Sequence, residues 1–404
     1  MSNWTSFKRV ATIFEGNIPD KVPKYEGSIE IKELNPLMDG QLNSASMLFF
    51  TADQVNFFHN FPSFFSLLKK LLNYPRLFYP IARYAPILIS KLQRQFDYDM
   101  FSYTTGIPMV FNERIFTDFY TSENNKVIKG PDGRLVWRTS PDGAHTRHGF
   151  IKNPQEWDRY MEFKPEHKAN HILVEAAVKT CKNIDIVPVF SIFGGCFFEE
   201  LSSIFGFERL FNLLVRNKQF IRKAVKQLNE YSITVAKKAL LKGAKYIYVT
   251  NDIGYKGRTI ISPKMFRELF KPRIKKFCEV VHQYGGKVIM HSCGYIMELL
   301  SDFVEMGIDA LHPIEKAAGN DIVEIKNQYK DDLVLIGNVP IPLLTHGTPK
   351  ENYEYVKFLL KNVSSRGGHI ISSSHSVTQW CKLKNFYAYY KAAKDFGQYP
   401  IKIS

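Results

Sequence analysis

From about residue 180 onward, short apolar runs that end in polar residues or glycine recur, after a first step of about 60 residues, at intervals of roughly 20–40: Ile184–Ser191, Ala244–Asp252, Gly286–Cys293, Ile308–Glu315, Leu333–Asn338 and Gly368–His375. Each is six to nine residues long and most are rich in Val and Ile, the composition of strands buried on both faces. Between them lie amphipathic segments, among them Phe207–Leu241, Pro263–Tyr284 and Tyr353–Val363, which read as helices. Ser262-Pro263 is a helix start, with Ser as cap and Pro at the first helical position. Pro272 should break or kink that segment, and Gly285-Gly286 should end it. Strand and helix alternating this often predict a parallel α/β sheet, and the spacing fits a (β/α)8 TIM barrel. A doubly wound open sheet is the alternative. No G-x-G-x-x-G follows any of these strands, which counts against its dinucleotide-binding version.

The whole chain, 1–404, reads as one barrel domain with an irregular N-terminal region and its main run of βα units over 180–404. Residues 54–96 carry ten aromatics, six Lys or Arg and no acidic residue. They read either as a helical insertion capping the barrel or as an amphipathic element for a partner or a membrane surface. Pro62, Pro75, Pro80 and Pro86 interrupt any long surface helix there and favour the first reading over peripheral membrane contact. Residues 110–150 look hairpin-rich, with Gly-Pro-Asp-Gly at 130–133 and Pro-Asp-Gly at 141–143 as turns.

Composition adds a charge argument. Of 404 residues, 45% are hydrophobic and 23% charged, ordinary for a globular chain, but Lys+Arg exceed Asp+Glu by 54 to 39. A net +15 favours acidic partners or anionic substrates. The basic residues are dispersed and no nucleic-acid module or Gly-rich phosphate loop is recognised, so no nucleic-acid partner is expected. The five cysteines, 181, 196, 278, 293 and 381, are too scattered for a disulfide framework. With no secretory leader and no run of 18 apolar residues for a transmembrane segment, the expected location is cytoplasmic.

In a barrel the reactive groups sit at the C-terminal ends of the strands. Those ends hold Asn251 and Asp252, His291 and Cys293, His312 and Glu315, Asn338, and Ser373, Ser374 and His375. The sharpest signal is His291-Ser292-Cys293-Gly294: residues i and i+2 of a strand face one way, so imidazole and thiolate can share an ion. Zn²⁺ prefers such donors, and a catalytic zinc takes three protein ligands, for which His375 is the third candidate. The plainer reading is a buried histidine beside an inert cysteine. Asp252 is a candidate general acid, substrate anchor or turn cap. Glu315 is a candidate to orient a metal-bound histidine, or a solvated charge. Asn338 would bond substrate or permit a turn. Of Glu199 and Glu200, adjacent in sequence, one should face the mouth. Cys181, Cys278 and Cys381 fall in helix-like segments as packing residues, and Cys196 follows a glycine pair without a clear place.

At these residues the chain resembles the uroporphyrinogen decarboxylase superfamily, and within it the cobalamin-linked methyltransferases. The similarity begins with FKRVATIFEGNIPDKVP and continues through GFIKNPQEWDRY at 149–160 and GGCFFEELSSIFGFERLF at 194–211. It is strongest over 251–294, and IDALHPIE, LVLIGNV and GGHIISSSHSV follow. The resemblance implies a (β/α)8 barrel. The Arg-rich N-terminal signature of the true decarboxylases is missing, since the corresponding stretch reads KYEGSIEIKEL. The methyltransferase branch carries His-x-Cys and a later Cys as zinc ligands; His291 and Cys293 match the first pair, and His375 stands where the last Cys is expected. The resemblance therefore implies a zinc-dependent transfer of a methyl group between a small donor or a thiol acceptor and a corrinoid. That corrinoid is free or carried by a partner protein whose surface would be acidic. Two other readings stand beside it: a metal-free decarboxylase using Asp252 on a carboxylated substrate, and a non-catalytic barrel that binds a ligand or a corrinoid partner.

Overall fold

The computed structural model describes residues 4–27, 29, 31, 96–104, 127–129, 135–140, 143–148, 151–162, 169–192, 197–329 and 332–403. Eight parallel strands form one sheet: β1 (Tyr25–Glu26), β2 (Met100–Thr104), β6 (Val187–Ser191), β7 (Tyr246–Thr250), β8 (Lys287–His291), β9 (Ala310–His312), β10 (Val334–Val339) and β11 (His369–Ser373), paired in that order. The first strand returns to the last. Lys24 bridges Ile371 in parallel, and the Ile371 N–H donates to the Pro23 carbonyl at 2.9 Å. The sheet is a (β/α)8 barrel, as the spacing of apolar runs predicts. Alternate residues fill its interior, among them Tyr246 and Tyr248, Ile289, Ala310 and Ile370. The opposite set packs against the surrounding helices.

Local sequence signals act where they stand. Ser262 caps the helix Pro263–Leu269 by accepting from the Met265 N–H at 3.2 Å. That helix stops at Phe270, and a second one, Lys271–Gln283, carries Pro272 in its first turn. The segment expected as one helix over Phe207–Leu241 is two, Phe207–Arg216 and Lys218–Leu241. Asn217 breaks it, because its side chain accepts from the Phe220 N–H and so caps the second. The helix expected from Tyr353 begins earlier, at Pro349, where Thr348 and Glu351 form a capping box. Cys381 sits in the turn before the helix Leu383–Phe396 rather than inside it, while Cys181 and Cys278 are buried in helices.

Within 110–150, β3 (Val127–Lys129), β4 (Leu135–Ser140) and β5 (Gly143–His148) pair antiparallel as a separate sheet. Of the aromatic, basic segment 54–96 only Phe96 is described, and Cys196 is also outside the described residues. No described helix is long and apolar enough to cross a membrane.

The helix Ser6–Phe14 plugs the end of the barrel where the strands begin. Its Val10 and Ile13 join the interior core. Arg9 forms ion pairs with Asp20 at 2.7 Å and with the buried Asp99 at 2.5 Å. Asp99, just before β2, also accepts from the Lys24 N–H at 3.0 Å, and Asp185, before β6, accepts from the Ser6 N–H at 3.0 Å. This sealed end turns any chemistry toward the opposite mouth.

Candidate metal centre

Two adjacent strands bring the site together. In the β7–β8 register Thr250 lies beside His291, so the residues that follow each strand run side by side. The Asn251 N–H donates to the His291 carbonyl at 2.8 Å, and the Cys293 N–H donates to Asp252 Oδ1 at 3.0 Å. The ligand atoms of Asp252, His291 and Cys293 all lie within 4.8 Å of one another. Strand β8 ends on His291, so Cys293 belongs to the turn beyond it and not to the strand; the two side chains meet nonetheless. Glycines permit this approach. A Cβ on Gly254 would lie 2.5 Å from the Cys293 carbonyl, and one on Gly294 would lie 2.3 Å from the Gly254 carbonyl carbon. Gly294 also has φ +76°, a conformation that favours glycine.

Around this group stands a second set of contacts. His312, at the end of β9, is the register partner of His291, and their Nδ1 atoms are 2.8 Å apart. The Tyr248 hydroxyl lies 3.0 Å from the same His312 Nδ1. Glu199, at the start of the helix Phe198–Phe205, accepts from the Asp252 N–H at 3.4 Å. Of the two adjacent glutamates it is the one that reaches the group. Among the described residues Glu315 makes no hydrogen bond to a histidine ring; its Oε2 accepts from the Gly294 N–H at 3.0 Å. Asn320 donates to the carbonyls of Gly294 and Glu315, which ties the two turns together.

Asn338 is fully buried and engaged elsewhere, donating to the Ile314 carbonyl at 2.8 Å and accepting from the Tyr355 hydroxyl at 3.1 Å. His375 faces His291 edge-on with ring centroids 6.2 Å apart, outside the close trio. The strand before it is held by Glu26 of β1, which accepts from the Ser373 N–H and the Tyr389 hydroxyl, each at 2.9 Å. The Ser373 hydroxyl lies 2.5 Å from both Glu26 Oε2 and the His375 carbonyl oxygen.

Electrostatics at this mouth are strongly polarised. Burial would push the Asp252 carboxyl up, but the facing His291 overrides it and holds it well below the usual carboxylate range. Burial would lower His291, yet Asp252, with Glu199 and Glu315, raises it. His312 is driven far down by burial and by the neighbouring His291. Burial, then the Asp252 charge, lifts Glu199 to about 7 and pushes the Cys293 thiol far above its ordinary value. A buried thiol beside carboxylates stays protonated unless a cation joins it. One imidazole, one thiol and one carboxylate around a point of negative surplus suit a dication with Zn²⁺-like preferences.

Asp252 was legible in the sequence as an acid, anchor or cap, but not as a neighbour of His291 and Cys293. Tyr248 was not singled out at all. Its signal is phase: Tyr246, Tyr248 and Thr250 alternate toward the interior in register with Ile289 and His291.

Comparison with known proteins fixes the wider relationship. The family model described as uroporphyrinogen decarboxylase (URO-D) matches residues 136–396, more than half of the chain. The chain belongs to the uroporphyrinogen decarboxylase family. Among its similarities, the Methylcobamide:CoM methyltransferase MtaA of Methanosarcina barkeri is 26% identical over 128 residues, 32% of this chain and 36% of that protein. The matched stretch thus spans about a third of that relative's length. A solved methyltransferase from Methanosarcina mazei superposes over 98% of this chain and 99% of its own, with TM-score 0.65 and 17% identity. At that identity the superposition shows a shared barrel fold. The resemblance read in the sequence, to this superfamily and its methyltransferase branch, is borne out.

Proposed function

We propose that this family member is a zinc-dependent methyltransferase that moves a methyl group between a small donor or a thiol acceptor and a corrinoid, the corrinoid being free or carried by a partner protein. The observation that carries the reading is the convergence of Asp252, His291 and Cys293 at the mouth of the barrel. The similarity to a methylcobamide methyltransferase gives that group its context. Asp252, His291 and Cys293 would hold the ion, with Asp252 as the carboxylate ligand and His375 beside His291 as the alternative third donor. A zinc ion there would supply a Lewis acid with an open position, the property that lets a thiol ionise at neutral pH.

The protein's own groups do the rest. Glu199, which accepts from the Asp252 N–H and is pushed up by burial, is the carboxyl placed to exchange a proton with the reacting molecule. Glu315 and Asn320 fix the Gly294 turn and thereby the Cys293 side chain. Asn338 braces the turn after β9 through Ile314 and does not face the reactants. Tyr255, Lys256 and Arg258 are exposed in the loop directly after Asp252, where an acidic corrinoid carrier would meet positive charge.

Methylcobalamin incubated with the protein and simple thiols tests the reading. Loss of the methyl–cobalt absorbance with formation of a thioether, absent in Cys293→Ser, is the expected result. Demethylation unaffected by Cys293→Ser would refute the assignment.

A further inference from the structure

The metal reading leaves open why His291 would present one particular nitrogen to an ion. We propose that His312 and Tyr248 are positioning residues that hold His291 with its proton on Nδ1 and its Nε2 lone pair directed at Asp252 and Cys293. This deepens the proposed function and rests on Asp252, His291 and Cys293 forming a metal centre.

The two nitrogens of His291 have different surroundings. Nε2 lies 3.3 Å from Asp252 Oδ1, on the side of the trio, whereas Nδ1 lies 2.8 Å from His312 Nδ1. A neutral imidazole that ligates through Nε2 carries its single proton on Nδ1. The atom in front of that proton is His312 Nδ1, which must then accept. With His312 Nδ1 accepting, a neutral His312 carries its own proton on Nε2. The Tyr248 hydroxyl lies 3.0 Å from the same His312 atom and bounds the ring on that side.

The rings are held in a buried frame. His312 and Tyr248 are 4% and 8% exposed, on the strands flanking β8; His312 lies opposite His291, and Tyr248 lies opposite Ile289 with its ring centroid 6.0 Å from that of His291. The Tyr25 ring packs edge-on against His312 at 5.7 Å, which restrains its plane. Partners of this kind usually alter metal affinity about 10–100-fold when removed.

The test is zinc affinity of the full-length chain, measured by chelator competition at constant pH, together with the melting temperature of the metal-free protein. His312→Phe, which keeps an aromatic ring but offers no acceptor, should weaken zinc binding about 10–100-fold. His312→Gln, whose side-chain carbonyl can accept from Nδ1–H, should recover most of the loss, and Tyr248→Phe should show a smaller one. Unchanged affinity in His312→Phe, with wild type binding zinc, would overturn the proposal. Failure of wild type to bind zinc at all would instead remove the metal centre beneath it. If the variants do not fold, ¹⁵N-histidine spectra of the zinc-loaded wild type decide the matter. The proton should reside on His291 Nδ1; zinc found on Nδ1, with the proton on Nε2, would overturn the assignment.

Discussion

At the sealed end of the barrel Arg9 lies between Asp20 and Asp99, and Lys24 meets Asp97 at 3.1 Å, so buried charge faces opposite charge. At the mouth Asp252, Glu199, Glu315 and Cys293 gather with no Lys or Arg paired to them among the described ion pairs, and His291 is the one basic group in contact. The sheet is common to both ends, and the difference lies in what the strand-flanking residues do. Paired charges fasten a helix over the bottom and keep Arg9 protonated well above its ordinary range. At the top the acidity is answered by His291, which holds Asp252 low, while Glu199 and the Cys293 thiol are pushed up, the arrangement a bound cation would relieve. Stability and chemistry are thus segregated along the barrel axis.

The contrast can be broken from either side. The largest expected effect is at the mouth: His291→Ala or Cys293→Ser should leave methyl transfer lower by about three orders of magnitude or more, since a catalytic site of three ligands does not survive the loss of one, while the melting temperature changes little. Turnover assays beside thermal melts check this. At the sealed end the pattern inverts. Arg9→Ala strands the buried Asp99 and should cost about 3–5 kcal/mol of stability, with zinc content per folded chain unchanged. Denaturant titration with metal analysis of the folded fraction reads both.

A third experiment sharpens the contrast through pH. Burial raises the Glu26 carboxyl to about 8, against about 4.3 in an unfolded chain. Between those values the folded state holds the proton that the unfolded state releases, so this group makes stability fall as pH rises from about 4.3 to about 8. Glu26→Gln should flatten that fall by an amount on the order of 5 kcal/mol, and the Gln carbonyl can still accept from the Ser373 N–H. A decline in stability that is identical in wild type and Glu26→Gln would show that Glu26 is ionised throughout. The smallest effect belongs to the outer surface. Lys223→Ala, removing an exposed pair with Asp158, should stay within about 0.5 kcal/mol in the same titration.

Much of this was legible in the sequence. Five of the six apolar runs after residue 180 contain a barrel strand shorter than the run, Ala310–His312 within Ile308–Glu315 being the extreme, while Val334–Val339 overlaps Leu333–Asn338 shifted by one residue. The polar residues of the run ends divide between strand and turn: His291, His312, Asn338 and Ser373 close or lie in strands, while Asp252, Cys293, Glu315 and His375 fall in the turns beyond them. The two earliest strands escaped notice because Tyr25–Glu26 is only two residues long and 73 residues separate it from Met100. For the site, His291 and Cys293 were visible as a local i, i+2 pair. The convergence of Asp252 depends on the β7–β8 register and on the Gly254–Gly294 contact, which no single stretch of sequence encodes. Asn338 looked available because a polar residue at a strand end is ambiguous until its partners, here Ile314 and Tyr355, are known.

The most direct measurement is zinc per chain, by elemental analysis of protein purified without a metal-affinity step, for wild type, His291→Ala, Cys293→Ser, Asp252→Asn and His375→Ala. The account predicts about one zinc in wild type, near none in the His291 and Cys293 variants, a large loss in Asp252→Asn and retention in His375→Ala. Loss in His375→Ala with retention in Asp252→Asn would transfer the third position to His375. Wild-type protein that takes up no zinc even after reconstitution would contradict the metal centre itself.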